Sequence, residues 1–107
     1  MIRRIWHGRT SPRNADRYEA LLREEIFPGI ADRGIDGYRG FELLRREDGD
    51  EVEFVTIMTF DSMAAVAEFA GPDPGVAYVP PSAREVLARF DERVRHYEVI
   101  SGHGMAG

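Results

Sequence analysis

The chain has 107 residues, enough for one domain around one core, and no cysteine, which excludes disulfides, thiolate metal centres, iron-sulfur clusters and thiol nucleophiles. Nineteen acidic residues against fourteen basic ones give a net charge of -5, which disfavours broad binding to nucleic acid or an anionic membrane. All of the basic residues are arginine, so Schiff-base chemistry is excluded, and the absence of any apolar run near the ~18 residues of a membrane span predicts a cytoplasmic protein with no signal peptide.

Ile2 to Thr10 reads as a first strand, too short for a capped helix and rich in β-branched and aromatic residues. Ser11 and Pro12 have the N-cap and N1 chemistry of a helix that carries Tyr18, Leu22, Ile26 and Ile30 at spacings of four, with a break or kink expected near Phe27 because Pro28 lies inside it. Gly37 to Arg46 and Glu51 to Phe60 read as a hairpin joined through Asp48-Gly49. Asp61 or Ser62 caps a short helix over Met63, Val66 and Phe69, closed by Gly71-Pro72. After a proline- and glycine-rich loop, Ser82 and Glu85 have the spacing of a capping box, which predicts a third helix with Val86, Leu87 and Phe90 on one face. Glu92 to Ile100 is then the last strand, and residues 101–107 form a flexible tail after a domain over 1–100.

This order predicts an α+β, ferredoxin-like split β-α-β domain with a four-stranded antiparallel sheet and one extra short helix. Both parities of the central strands are apolar: Val52, Phe54, Met58 and Phe60 alternate with Val55 and Ile57, and Tyr38 and Leu44 oppose Phe41 and Leu43. A sheet with one wet face shows cleaner alternation, so a second copy of the chain is expected to cover the face away from the helices.

The strand Ile5-Trp6-His7-Gly8, the segment Tyr18 to Leu22 followed by Pro28-Gly29, the stretch Gly37-Tyr38-Arg39-Gly40, the run Val52 to Thr56 and the ending Phe90-Asp91-Glu92 with His96-Tyr97-Glu98 carry a resemblance. Over residues 1 to about 100 the chain resembles the antibiotic biosynthesis monooxygenase family of the dimeric α+β barrel superfamily. The resemblance implies a homodimer whose sheets pack into a shared barrel, with one apolar pocket per subunit. It also implies oxygenation of a small aromatic or polyketide-like metabolite without metal or flavin, since an electron-rich phenol, once ionised, can itself reduce oxygen. No cofactor is therefore expected, and the sequence has no GxGxxG, P-loop or HExxH pattern. Haem-degrading relatives use a helix histidine and a strand-one asparagine; here the histidines fall on strands or in the tail, and Asn14 starts a helix.

His96 is the first candidate for chemistry, because an imidazole is suited to accept a phenolic proton, and His7 is the second. If the first and last strands are neighbours, the two rings can share a face. Trp6, Tyr78 and Tyr97 offer rings for stacking, Arg39 a fork for an oxyanion, and Phe54, Met58, Met63 and Phe69 an apolar lining. Ordinary core packing is the competing role for each apolar residue. The acidic groups Glu24-Glu25 and Glu47 to Glu51 decorate a helix and a turn, and no metal is assigned to them. A non-catalytic small-molecule binding or accessory protein of the same fold is the alternative function, followed by an isomerase or decarboxylase with His96 as base.

Overall fold

Strand β1 (Ile2–Thr10) is central to the sheet of the computed structural model, which describes residues 1–104. Its even-numbered residues are buried under the helices and its odd-numbered ones face the other side. β3 (Glu51–Phe60) runs antiparallel beside it over its whole length, Ile2 opposite Phe60 and Thr10 opposite Val52, with its even residues equally buried. β2 (Tyr38–Asp48) forms the outer edge, joined to β3 by a two-residue loop in which Gly49, at φ +63°, occupies the left-handed position the turn needs. The strand order β2-β3-β1-β4 is that of the ferredoxin-like sheet.

Two features differ from the expected parity and count. A bulge at Arg39 shifts the register between Tyr38–Phe60 and Gly40–Thr59. Tyr38 therefore shares the helix face with Phe41 and Leu43 instead of opposing them, and only Leu44 turns away. The extra residue frees Arg39 from the ladder, and Phe41 reaches the helix side, where its ring stacks on Phe27 at 3.7 Å.

The last strand is split, which makes five strands where four are expected. β4 (Arg89–Phe90) and β5 (Arg95–Glu98) both pair with β1, at Gly8–Arg9 and Ile2–Ile5 respectively. Between them the chain turns its hydrogen bonds to residues 75–77: Ala77 N donates to Glu92 O and Val94 N to Gly75 O. Trp6 occupies the gap, its Nε1 donating to Asp91 O at 2.6 Å. Its ring lies so close over Gly8 that a Cβ there would stand 2.5 Å from it.

Where a kink or break is expected near Phe27, the first helix stays continuous but changes its winding. α1 (Pro12–Leu21) passes into a π-helical turn, Leu22–Ile26, and on into α2 (Phe27–Asp32). Pro28 has no N–H to return to the preceding turn, and the wider π turn, with Phe27 N donating to Leu22 O, carries the chain past it. α3 (Met63–Ala70) is capped as expected, Ser62 Oγ accepting from Ala65 N. The capping box at Ser82 does not form: Pro80 is the N-cap, α4 is only Pro81–Arg84, and Ala88 N is drawn to Arg9 O, which puts Phe90 on a strand.

The core lies between the helices and the even face, with Tyr18 meeting Phe54 edge-on at 4.9 Å and Phe60 and Val66 fully buried. No described helix is long and apolar enough to cross a membrane. Of the tail expected over 101–107, residues 105–107 lie outside the described ones, and 101–104 are exposed without helix or strand.

Candidate functional site

Side chains of the even face leave a cavity of about 50 Å³ beneath the π turn. Arg4, Trp6, Thr56 and Met58 rise from the sheet, Leu22, Ile26, Phe27 and Ile30 descend from the helix, and Phe69, Tyr78 and Val79 close the side. The π turn widens the helix where Leu22 and Ile26 meet the cavity, a common use of this conformation. The wall is apolar apart from Arg4, Thr56 and Tyr18, and burial pushes the Tyr18 phenol up, so it stays protonated. Tyr78 is 57% exposed and sits against Phe69 at 5.9 Å. On its outer side a groove of about 410 Å³ shares Ile26, Ile30, Tyr78 and Pro80 with the cavity, so these four side chains, Tyr78 the most exposed of them, stand between the two.

Arg4 is the unusual wall residue. It is only 3% exposed, and among the described residues no carboxylate pairs with it. Its Nη1 donates to Pro74 O at 2.5 Å and its Nη2 to Val76 O at 3.0 Å, which ties the loop after α3 to the sheet. His96 stands 3.0 Å from Nη1 through Nε2. A guanidinium only donates, so Nε2 accepts and the ring proton lies on Nδ1. Burial, and then the Arg4 charge, hold the His96 imidazolium below its ordinary range. Burial pulls Arg4 to about 10, still charged at neutral pH.

The cavity gathers Trp6, Met58, Phe69 and Tyr78 from the candidates read in the sequence. His96 lies behind Arg4, off the wall, with its basic nitrogen already taken. His7 does not share its face: it stands on the odd side, its Nδ1 donating to Glu53 Oε2 at 3.2 Å, and Arg9 and Arg46 also reach Glu53. Arg39 is not at the cavity; both its Nε, at 2.8 Å, and its Nη2 bond the Asp61 carboxylate. Phe54 is buried beneath Tyr18, Met63 is exposed at the start of α3, and Tyr97 projects from the odd face beside Ile5 and His7. Arg4 was missed. Its signal was parity, an arginine in step with Trp6, Gly8 and Thr10 on the face that the rest of β1 buries.

No protein-family model matches the sequence, and no curated protein matches it significantly. Solved structures do share its fold. A Bacillus cereus protein assigned to the antibiotic biosynthesis monooxygenases superposes with a TM-score of 0.69 at 12% identity, over 97% of both chains. A crystal structure of another antibiotic biosynthesis monooxygenase gives 0.64 at 19% identity, over 94% of this chain and all of that one. The haem degrader MhuD of Mycobacterium tuberculosis, with two hemes in its active site, gives 0.58 at 22% identity, over 97% of this chain and all of that one. The chain is thus an α+β protein with the ferredoxin-like fold of the antibiotic biosynthesis monooxygenase structures.

The Arg4–His96 contact has a pH signature. Because the folded state holds the imidazolium below its ordinary range, the unfolded chain binds the proton more readily. Stability is expected to be full above pH ~6.5 and to fall as pH drops through that value toward the lower folded pKa, before most carboxylates titrate. Urea denaturation at pH 7.5 and 5.5 measures this, and His96→Gln, whose side-chain oxygen can accept from Arg4, is expected to flatten the difference.

Proposed function

We propose that the chain belongs to the antibiotic biosynthesis monooxygenase family and oxidises a small, flat, electron-rich metabolite in the cavity behind Tyr78. The observation that carries this reading is the cavity itself, lined almost wholly by apolar side chains and built on a fold several of whose solved members are named monooxygenases. At about 50 Å³ it is smaller than the ~150 Å³ that holds a benzene ring, so a substrate must displace Tyr78 and join the cavity to the outer groove. Trp6 and Phe69 then give aromatic contacts, and the apolar lining limits the water around the reacting carbon.

The redox balance needs no reductant. A methylene of the substrate becomes a carbonyl, one oxygen atom enters the product and the other leaves as water with both hydrogens, so the substrate supplies all four electrons. Among the described cavity residues none is a free base, because His96 Nε2 accepts from Arg4. The substrate therefore loses its proton before binding or passes it directly to reduced oxygen. This feature also supports the second reading, a protein of the same fold that binds such a metabolite without converting it. Haem does not fit: no histidine lines the cavity, His7 is on the opposite face with Glu53, and His96 faces Arg4.

The assembly proposed is a homodimer through the odd face of the sheet. Ile5, Val55 and Ile57 form its half-buried centre, and Leu44 and Tyr97 are 46% and 51% exposed beside them. His7, Arg9, Arg46 and Glu53 satisfy one another at one end, and Arg95, exposed opposite Ile5, is the charge that the partner's surface has to meet.

Oxygen uptake with an anthrone is expected to saturate above the spontaneous rate and to survive treatment with a chelator, and Phe69→Leu is expected to lower kcat/KM roughly two- to tenfold, the range of one aromatic contact. Uptake at background would leave the binding-protein reading. Light scattering on a sizing column is expected to give twice the chain mass for the native protein and the single mass for Ile57→Glu; a native monomer would contradict the dimer.

A further inference from the structure

Arg4 has more donors than the protein satisfies. A guanidinium carries five N–H groups. Pro74 O and His96 Nε2 take the two on Nη1, and Val76 O takes one on Nη2. The Nε–H and the second Nη2–H are left without a partner among the described residues, on a side chain that is 3% exposed and forms part of the cavity wall. All three acceptors are neutral, so the positive charge is buried beside carbonyls, an imidazole and the face of Phe69, with no carboxylate among the described residues to balance it. Such an uncompensated buried charge costs several kcal/mol, and a hydrophobic residue of the same size in this apolar face would avoid the cost. Arg33 and Arg84 also bond carbonyls, of Phe69 and Val79, but both are exposed, and other arginines are paired. Arg9, Arg39, Arg45, Arg46, Arg89 and Arg93 all meet carboxylates at the surface.

The three acceptors also hold the head group in place. The two carbonyls come from a loop that is itself pinned to residues 92–94, and His96 closes the side toward β5. The head group is thereby fixed in the wall of the cavity that Arg4 lines. Two guanidinium N–H groups fit the two oxygens of a carboxylate, or both converge on a single ionised oxygen. Phe69 lies beneath the Arg4 head group at 5.3 Å from its ring centre, so the apolar surface continues directly from the charged point.

From this we infer that the cavity takes a monoanionic ligand, a flat apolar body carrying one carboxylate or ionised phenolic oxygen, with that oxyanion held by the Nε–H and Nη2–H of Arg4. The inference rests on the cavity being the ligand site and adds the charge of what it binds. Arg4 is then a substrate-binding residue. His96 is a positioning residue that fixes the guanidinium by accepting from Nη1.

Calorimetric titration at pH 7.5 with 2-naphthoate and its neutral isostere 2-naphthamide tests this without any turnover. The native protein is expected to bind the carboxylate at least tenfold more tightly than the amide. Arg4→Gln is expected to bring the carboxylate down to the level of the amide, and Arg95→Gln, on the opposite face, to leave the preference intact. The comparison of probes on the native protein stands even if Arg4→Gln fails to fold, and Arg4→Lys, which keeps the charge without the fork, is expected to retain only part of the preference. Equal affinities for the two probes, or a preference that survives Arg4→Gln, would overturn the anion assignment and leave the apolar-ligand reading in place. Binding of neither probe at millimolar concentration would overturn both.

Discussion

A guanidinium set into the apolar face of a sheet must find partners for its donors or be met by an anion, and this constraint on Arg4 shapes the region around the cavity. Two of its bonds reach backbone carbonyls of the loop after α3, and a third reaches the histidine of β5. The loop is thereby held over the even face, and Tyr78 and Pro80 near its end form part of the wall between the cavity and the outer groove. The split of the last strand belongs to the same arrangement. Where residues 92–94 leave β1, they pair with 75–77, and Trp6 fills the gap they leave with its indole N–H on Asp91 O. Sheet edge, loop and cavity are one connected unit.

The two faces of β1 divide the work. Even positions bury Trp6 and Arg4 toward the helices; odd positions carry Ile5, His7 and Arg9 outward. On the odd face Glu53 balances His7, Arg9 and Arg46 and is held below its ordinary carboxyl range by Arg46 and His7 first, while Arg95, opposite Ile5, is open to solvent. On the even face Arg4 has no such partner. Balanced charge suits a surface that another protein covers, and unbalanced charge suits a cavity that a small ion enters.

Much of the fold was legible because it follows from local rules. β1, the hairpin at Gly49 and the Ser62 cap of α3 each depend on a few residues whose chemistry permits little else. Pro28 announced an irregularity near Phe27 but not that it would be a π turn, and the one-residue bulge at Arg39 and the split of the last strand, which sends residues 92–94 to 75–77, were not legible. The bulge alone moved Phe41 and Leu43 to the helix side. At the site, aromatic and apolar candidates such as Trp6, Met58, Phe69 and Tyr78 came together because apolar side chains of one face collect in one core. The polar candidates did not: Arg39 found Asp61, His7 found Glu53 and His96 found Arg4. A polar residue's role depends on the partner the fold brings to it, and register decides that partner. Arg4 looked like one of fourteen arginines until its parity was set beside that of Trp6.

The central claim is that Arg4 is a charge waiting for an anion, and its Nε–H is the group to watch. Nitrogen-15 NMR of the arginine Nε–H resonances, with Arg4 assigned by its absence in Arg4→Lys, reports on that proton directly. Addition of 2-naphthoate is expected to move the Arg4 resonance downfield and slow its exchange with water, while 2-naphthamide leaves it in place. An Arg4 resonance that stays fixed while bound naphthoate shifts arginines of the opposite face, such as Arg93 or Arg95, would contradict the account.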